Sequence, residues 1–393
     1  MRFLQDRSIA IIGYAEAANV RGSGRSALDL AGEVLAGALK ATGLARGDID
    51  GLACTQAMSE AGNPFWSNLL AETLGLSPTW CQTTDLGGSS NVGNIARAAA
   101  AIHSGMCEIA VCIGADAVST QDLSRQVGHR TEFCDPFGYA GPLVAFGLLS
   151  SVYRSQYGMP DAALAKLAVA QRRGALENPN ASAVLRKPLT EADYLNSRVV
   201  CDPLRLLDCV MRCDGASAFI VTSTETARRL GVTKMVHPIA YRERVNFDPQ
   251  ETIPDITISG FSDVGPKALS DAGLSPSDIH MLHLYDDFLI AVLLQLEQIG
   301  FCGAGQAEAF VKERSLAYDG DLPINTGGGQ VSAGQPGLAG GGVNMSEAMR
   351  QLFGEAGSRQ VKRHGNALVT GIGVLPYGRN WSSSNAMVLE RGA

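Results

Sequence analysis

The stretch Asn325–Gly341 (NTGGGQVSAGQPGLAGG) constrains the fold of this chain more than any other segment. Seven of its seventeen residues are glycine, and most of the others are small or polar. Glycine adopts left-handed backbone dihedrals freely and lets backbone amides come close to a ligand. Ordered apolar segments flank the stretch, Leu322–Ile324 before it and a helical pattern from Met345 to Leu352 after it. A flexible linker would lack such flanks, so we interpret the stretch as a loop that builds a site.

The composition excludes several kinds of partner. Acidic residues exceed basic ones, 39 to 32, so neither nucleic acid nor an anionic membrane is expected as the main partner. No apolar run approaches the roughly 18 residues that span a bilayer, and the first residues do not resemble a signal peptide. Nine cysteines at irregular spacing are typical of free thiols in a cytoplasmic protein, and they indicate no metal site.

Strands and helices alternate through the first part of the chain. Hydrophobic periodicity predicts strands at residues 8–13, 48–54, 79–85 and 109–114, and helices at 26–42, 65–74 and 89–104. The turn Gly87-Gly88 introduces the last of these helices, which consists mostly of small residues. The alternation indicates an α/β sheet that helices cover on both faces.

A second βα series follows a helix-rich middle region. This region, about residues 115–223, contains a predicted loop at 134–142 and ends in a strand at 214–223. Further strands are predicted at 254–258, 281–284, 364–371 and 386–390, and helices at 260–272, 288–300 and 344–352. Strand, glycine turn and small-residue helix recur in the same order in both series. We therefore predict two similar βα halves, 1–245 with the inserted loop region and 246–393.

Four motifs, taken in order, resemble the thiolases, and in particular the sterol-carrier-protein-type thiolases and thiolase-like proteins. They are DLGGSSNVGNIARAAAAIHSG from residue 85, DGASAFIV from 214, LYDDF from 284 and the glycine-rich loop. The resemblance covers essentially the whole chain. It implies an α/β thiolase fold of five layers, αβαβα, a homodimer, and a CoA thioester as the substrate, with no cofactor bound by the chain itself.

The nucleophilic cysteine of the family is missing. Thiolases place it where a helix begins, because the helix dipole and free amides lower its pKa. The resemblance puts Gly88 at this position, followed by Ser89. A serine nucleophile needs an adjacent base, and none is evident, so an N-cap role is the simpler interpretation of Ser89. Cys81 is near in sequence, but we predict it to be a core thiol on the preceding strand.

Two further positions of the thiolase catalytic site also differ from the family. Where thiolases carry glycine-histidine-proline, residues 334–336 read GQP, and Gln335 can donate to an oxygen but cannot take a proton. Tyr285 and Asp286 replace the asparagine–glutamate or histidine–aspartate pair of the family. A tyrosine beside carboxylates can relay a proton to or from a hydroxyl. The alternative is a tyrosine packed against the sheet, with Asp286 and Asp287 capping a helix.

The resemblance implies roles for these residues. Tyr285 would act as the base, Asp286 would tune it, and Gln335 with loop amides would hold an enolate. We interpret His283 as a core histidine with satisfied hydrogen bonds rather than a supporting residue. Gly371 lies where many thiolases carry an acid/base cysteine. The residues expected to contact the substrate are Gly88, Ser89, Gly329, Ser332, Gly334 and Gly371.

The loss of cysteine and histidine together, with both glycine loops retained, favours a reaction that forms an acyl-CoA enolate without an acyl-enzyme. The expected reaction is aldol or retro-aldol cleavage of a 3-hydroxyacyl-CoA, as in the cysteine-less thiolase-like aldolases of steroid side-chain degradation. Those aldolases carry tyrosine at the position that matches Tyr285, and they work with a small zinc-ribbon/OB-fold partner. Two alternatives stay open: a Claisen-type 3-oxoacyl-CoA thiolase, and a catalytically inactive subunit that accompanies such a partner.

Overall fold

The computed structural model describes residues 2–121, 132, 135–139, 141–247, 255–373 and 381–392. The strands are β1 (Ile9–Glu16), β2 (Gly51–Thr55), β3 (Trp80–Thr84), β4 (Ile109–Ala117), β5 (Val199–Cys201), β6 (Leu204–Arg205), β7 (Asp214–Ser223), β8 (Val236–Val245), β9 (Leu282–His283), β10 (Asn366–Gly373) and β11 (Ser383–Arg391). The helices are α1 (Ala27–Thr42), α2 (Trp66–Leu74), α3 (Ser90–His103), α4 (Gly141–Tyr157), α5 (Asp161–Leu176), α6 (Glu191–Leu195), α7 (Thr224–Arg229), α8 (Phe261–Ala272), α9 (Leu289–Ile299), α10 (Ala307–Lys312), α11 (Gly329–Ala333) and α12 (Gly341–Leu352).

One mixed sheet contains nine strands in the order β3-β2-β4-β7-β1-β8-β11-β10-β9. β2 runs parallel to β3 and β4, whereas β7 is antiparallel to both β4 and β1. In the same way β10 is parallel to β9, and β11 is antiparallel to β10 and β8. β1 and β8 meet at a single residue pair, Ile11 and Val236. The sheet therefore consists of two half-sheets.

The second half-sheet repeats the first. β8, β9, β10 and β11 hold the places that β1, β2, β4 and β7 hold in the first half-sheet. The edge place of β3 is taken by one bridge between Leu282 and Ile324, immediately before the glycine-rich loop. In each half this edge leads through glycines into a buried helix, α3 or α12. The two similar βα halves predicted from the sequence are confirmed.

Side chains on a strand alternate between two faces, and here they divide among three hydrophobic cores. On β1, Ala10 and Ile12 pack with α1 and α2, whereas Ile9 and Ile11 pack with α3 and α12. The third core lies across the second half-sheet, where Leu368 on β10 packs with α8 and α9. The structure therefore has five layers, in the order outer helices, half-sheet, inner helices, half-sheet and outer helices. This is the predicted five-layer αβαβα thiolase fold.

The inner helices α3 and α12 begin at the same place. Both are buried along most of their length, and α3 consists largely of small residues, which permits close packing. A β-carbon added to Gly341, the first residue of α12, would lie 2.2 Å from the carbonyl oxygen of Gly88. The two glycine turns predicted to build a site therefore touch each other.

Several predictions from the sequence need correction. The predicted strand at 254–258 is wrong: residues 255–258 form a turn, in which Asp255 accepts from the Thr257 amide, and residue 254 lies outside the described residues. Sequence patterns missed β8, because Pro238 and the charged run Arg242–Arg244 interrupt its apolar pattern. The predicted loop at 134–142 lies partly outside the described residues, and α4 begins within it. The division of the halves at 245/246 stays a prediction.

None of the described helices combines the length and the apolar character that crossing a membrane requires.

Candidate active site

Tyr285 lies two residues after the end of β9, and its backbone is held on both sides. Its amide donates to Thr370 Oγ1 on β10 at 2.8 Å, and its carbonyl accepts from Gln295 Nε2 on α9 at 2.8 Å. Thr370 in turn donates to Gln295 Oε1 at 2.6 Å. These bonds fix the point from which the phenol extends.

The phenol of Tyr285 lies against the turn that opens α3. A β-carbon added to Gly88 would lie 1.9 Å from Tyr285 Oη, far inside contact distance. The phenol therefore takes the space that a cysteine side chain would need at this position. Gln335 Nε2 donates to the same phenol oxygen at 3.4 Å. The structure thus brings together Gly88, Tyr285 and Gln335, which the sequence predicted to share a site.

The hydroxyl of Ser89 is occupied, because Ser89 is fully buried and donates to Leu86 O at 2.6 Å, with Ser383 Oγ also at 2.6 Å. Ser89 holds the N-cap position of α3 without a side-chain cap, so the predicted capping bond is wrong. Ser90 Oγ instead accepts from the Leu86 amide at 2.9 Å. A β-carbon on Gly371 would lie 2.6 Å from Ser89 Cα, so this glycine lets β10 approach the turn. Substrate contacts of Ser89 and Gly371 stay predictions.

The carboxylate of Asp286 holds the beginning of α11. It accepts from the Gln330 amide at 2.9 and 3.0 Å and from the Val331 amide at 3.2 Å. A β-carbon on Gly329, whose φ is +58°, would lie 2.2 Å from Asp286 Oδ2. This glycine therefore lets the loop approach the carboxylate. Burial raises the pKa of Asp286 to about 7, although the amide hydrogen bonds oppose the shift. Its predicted tuning of Tyr285 stays a prediction.

A second carboxyl group, Asp287, has an oxygen without a partner. Oδ1 is buried and makes no hydrogen bond within the described part of the chain. Burial, followed by the charge of Asp286, raises the pKa of Asp287 to about 8. Burial also raises the pKa of Tyr285 well above its ordinary value, and the charge of Asp287 contributes more to that rise than the charge of Asp286. In the sequence, Asp287 indicates only a helix cap.

A segment of the inserted region, Cys209–Cys213, connects the Tyr285–Asp287 segment to the glycine-rich loop. One backbone amide of this segment donates to Asp287 O at 3.2 Å. Its other end exchanges two backbone bonds with Gln335, at 3.0 and 2.9 Å. We name this segment the brace, because it fixes the distance between the Tyr285–Asp287 segment and the glycine-rich loop. No sequence signal connects the brace to the Tyr285–Asp287 segment or to the glycine-rich loop.

Ser332 and Gly334 hold the glycine-rich loop against its neighbours. Ser332 Oγ accepts from Arg172 Nε on α5 at 3.2 Å and is buried. A β-carbon on Gly334, whose φ is +103°, would lie 2.7 Å from the sulfur of Cys213 in the brace. Burial raises the pKa of that Cys213 thiol to about 11, so it stays protonated at neutral pH. Substrate contacts of Gly329, Ser332 and Gly334 stay predictions.

A buried ionic network anchors the start of the loop. Thr326 Oγ1 donates to Glu347 Oε1 at 2.9 Å, and Glu347 pairs with Arg350 at 2.5 Å and Arg359 at 3.0 Å. Arg350 also pairs with Glu16 at 2.7 Å. Burial raises the pKa of Glu347, but the charges of Arg350 and Arg359 outweigh it and hold the pKa at about 2. The network therefore fixes the first residues of the loop to α12.

His283 and Cys81 differ from their predicted states. His283 is fully buried as expected, but neither ring nitrogen has a hydrogen-bond partner among the described residues, and burial lowers its pKa to about 4. Cys81 lies on β3 as predicted, but it is exposed rather than a core thiol, because β3 is an edge strand. Within the described ranges no cluster of three or more His, Cys, Asp or Glu could hold a metal ion.

Gly88→Ala should destabilise the protein by about 1–3 kcal/mol, because the added methyl group meets a phenol whose backbone is held in place. In the background of Tyr285→Ala the same substitution should cost much less, since the phenol is gone. Urea unfolding of the four proteins gives the coupling energy between the two positions. Additive effects would show that the phenol does not lie against Gly88.

Asp287→Asn should stabilise the protein at pH 9. The pKa of Asp287 is raised from 3.8 to about 8 in the folded state, so the folded state binds the proton more tightly than the unfolded state. The stability linked to this group is complete below pH 4 and is lost as the pH rises through 8. Asparagine carries no charge, so the variant should gain roughly 1–4 kcal/mol at pH 9 and little at pH 4. Urea unfolding at both pH values tests this, and a gain that does not depend on pH would contradict it.

Fold and site together define a class, namely proteins of thiolase fold in which a phenol covers the glycine that the sequence predicts at the position of the nucleophilic cysteine. Two family models match the chain, "Thiolase, N-terminal domain" over residues 15–225 and "Thiolase C-terminal domain-like" over residues 248–391. The chain therefore belongs to the thiolase family, and the resemblance found in its sequence motifs is confirmed.

Similar proteins carry lyase and aldolase names. The chain is 31% identical over 366 residues to the 17-hydroxy-3-oxo-4-pregnene-20-carboxyl-CoA lyase of Mycobacterium tuberculosis, an alignment that covers 88% of this chain and 91% of that protein. It is 31% identical over 348 residues to the steroid side-chain-cleaving aldolase of Thermomonospora curvata, covering 82% and 85%. Among solved structures, the Ltp2-ChsH2(DUF35) aldolase superposes with a TM-score of 0.85 at 30% identity, covering 98% of this chain and 97% of that chain.

Proposed function

We propose that this chain is a carbon–carbon lyase that cleaves a 3-hydroxyacyl-CoA by a retro-aldol reaction without an acyl-enzyme. The observation that carries the proposal is the position of the Tyr285 phenol, against Gly88 and in the space of the missing cysteine side chain. Thiolysis needs a thiolate at this point, whereas retro-aldol cleavage needs a group that takes a proton from the 3-hydroxyl. The names of the similar proteins support the same chemistry.

The reaction balances with the groups at the site. Tyr285 takes the proton of the 3-hydroxyl and passes its own proton to the ionised form of Asp287. The Oδ1 of Asp287 has no hydrogen-bond partner in the described structure, and its pKa of about 8 makes the ionised form a stronger base than an ordinary carboxylate. The C3–O bond becomes a carbonyl, the C2–C3 bond breaks, and its electron pair forms the enolate of the shortened acyl-CoA. C2 then takes a proton from Tyr285, and Asp287 returns one to Tyr285, so both groups regain their starting states. Gln335 and loop amides donate to the thioester oxygen as charge develops there.

A bulky acyl group with a tertiary hydroxyl is the substrate class that we propose. The compound named for the M. tuberculosis relative carries its hydroxyl on C17, and the neighbouring C20 carries the thioester carbon. Such a compound is a 3-hydroxyacyl-CoA, and retro-aldol cleavage converts its C17 into a ketone. This chain aligns with 91% of that relative at 31% identity, which supports a steroid-like CoA thioester as the ligand.

Two thiols of the described structure, Cys213 and Cys81, give no support to the Claisen alternative. Cys213 is buried beside Gly334, and burial raises its pKa to about 11. Cys81 is exposed on β3, and burial of its sulfur raises its pKa as well, so neither thiol is activated. A reactive thiolate would instead need a lowered pKa.

The described cysteines are all free, which supports a cytoplasmic location.

We also propose a homodimer and a small partner protein. β3 is an edge strand that pairs on one side only, with β2, and an unpaired strand edge is a template for pairing with another chain. A second copy that adds its own β3 would cover this edge and the exposed Cys81. The name of the similar aldolase joins Ltp2 to ChsH2(DUF35), and this pairing supports a zinc-ribbon/OB-fold partner here.

The test is an assay of the purified chain, alone and with co-purifying partners, against 3-hydroxyacyl-CoAs and against 3-oxoacyl-CoAs with free CoA. We expect a ketone and a shortened acyl-CoA from the first class of substrate. Thiolysis of the second class would instead establish the acyltransferase. Absence of turnover under every condition would establish an inactive subunit.

A further inference from the structure

Gln330 is a buried polar residue without a partner. It lies in the first turn of α11, its side chain is fully buried, and neither its amide oxygen nor its amide nitrogen makes a hydrogen bond among the described residues. Burying an amide without a partner is costly, and native structures contain few such groups. A ligand that supplies the missing partner would explain why the residue is there.

The position of Gln330 places it at the site. Its backbone amide is held by Asp286, so the direction of its side chain is set by the start of α11. A β-carbon on Gly340 would lie 2.2 Å from Gln330 Oε1 and 3.0 Å from Gln335 Cγ, so the two glutamines lie along the same glycine. Gln330 is also close enough to Tyr285 to lower the pKa of its phenol, as Gln335 does. Two carboxamides therefore converge on the phenol that faces Gly88.

We propose that Gln330 is a catalytic residue that donates its amide N–H to the thioester oxygen as the enolate forms, beside Gln335. This inference rests on the proposed lyase function. When the C2–C3 bond breaks, its electron pair moves onto the thioester group, and two amide donors share the negative charge on that oxygen. The charge disappears when C2 takes up the proton. Asp286 then acts as a positioning residue, since it orients the turn that carries Gln330.

Gln330→Met tests the proposal, because it keeps the length of the side chain and removes the amide. One lost oxyanion donor should lower kcat for cleavage by about 10²–10³-fold, with KM changed much less. The same variant should melt at an equal or higher temperature, since it removes a buried amide that has no partner. A residue with a merely structural role would not show this combination.

Exchange of the C2 proton of a saturated acyl-CoA in D₂O, followed by NMR, measures enolate formation without any cleavage. We expect Gln330→Met to slow this exchange by a similar factor. The control is Ser150→Ala on α4, which removes a buried hydroxyl that has no hydrogen-bond partner in the described structure and should leave exchange within about threefold of wild type. If the methionine variant does not fold, Gln330→Asn keeps the amide on a shorter arm and should lose part of the rate.

The outcomes separate this inference from the proposed function. Wild-type rates of cleavage and exchange in Gln330→Met would overturn the role of Gln330 and leave the lyase in place. Exchange by the wild type without cleavage, slowed in the variant, would overturn the lyase and support Gln330. A wild type that shows neither reaction would contradict both.

Discussion

Tyr285→Phe should lower the rate of carbon–carbon cleavage by about 10²–10⁴-fold, the range typical of a lost general acid–base group. The substitution removes one oxygen, which lies against Gly88 and accepts a long hydrogen bond of 3.4 Å from Gln335. Little folding energy depends on that bond, so the thermal stability should stay close to that of the wild type. The loss should therefore appear in kcat and not in the fraction of folded protein.

The control for this experiment is Tyr153→Phe. Tyr153 is also buried, but it lies on α4, and its hydroxyl donates at 2.7 Å to Glu297 on α9 rather than to a residue of the candidate site. Its cleavage rate should stay within a few-fold of the wild type. Liquid chromatography of the CoA thioesters follows both variants. Turnover of Tyr285→Phe at the wild-type rate would remove the phenol from the mechanism.

Glu347→Gln should destabilise the protein by about 3–5 kcal/mol, the cost of leaving buried charges without their partner. Glu347 is buried and pairs with Arg350 and Arg359, while it also accepts from Thr326 at the start of the glycine-rich loop. Glutamine fits the space but leaves Arg359 without a carboxylate and Arg350 with only Glu16. The substitution should therefore lower the free energy of unfolding and also loosen the start of the glycine-rich loop.

Urea unfolding at pH 7 measures this loss, and Asp319→Asn provides the control. Asp319 pairs with Arg173 on the surface, and surface pairs contribute about 0–1 kcal/mol. The pH dependence adds a second check on the same residue. Because the pKa of Glu347 is lowered from 4.5 to about 2, its contribution is present above pH 4.5 and is lost as the pH falls toward 2. A loss no larger than that of Asp319→Asn would contradict the network.

Much of the fold followed from periodicity, because the two halves repeat strand, glycine turn and small-residue helix in one order. β8 was missed because its polar and proline residues suit a strand only when β11 lies beside it. The strand predicted at 254–258 failed for the opposite reason, since its apolar residues have no neighbouring strand to pair with in the described structure.

The sequence predicts that Gly88, Tyr285 and Gln335 share a site, and the structure places them together, but the sequence does not separate the roles of neighbouring residues. Asp286 and Asp287 are adjacent and chemically equal in sequence, and only the fold shows that one binds α11 while the other keeps a free oxygen. The role of the brace could not be predicted from the sequence, because it lies in the inserted region and its contacts with the site are made by backbone atoms. Gln330 carries one signal in the sequence, because it is a large polar residue directly after three glycines.

The most direct test of the account is a reaction of the protein with a 3-hydroxyacyl-CoA in the absence of free CoA. We predict that a ketone and a shortened acyl-CoA form in equal amounts and that the intact-protein mass shows no acyl adduct during turnover. A requirement for free CoA, or an acyl group attached to the protein, would contradict a mechanism in which a phenol stands in place of the cysteine.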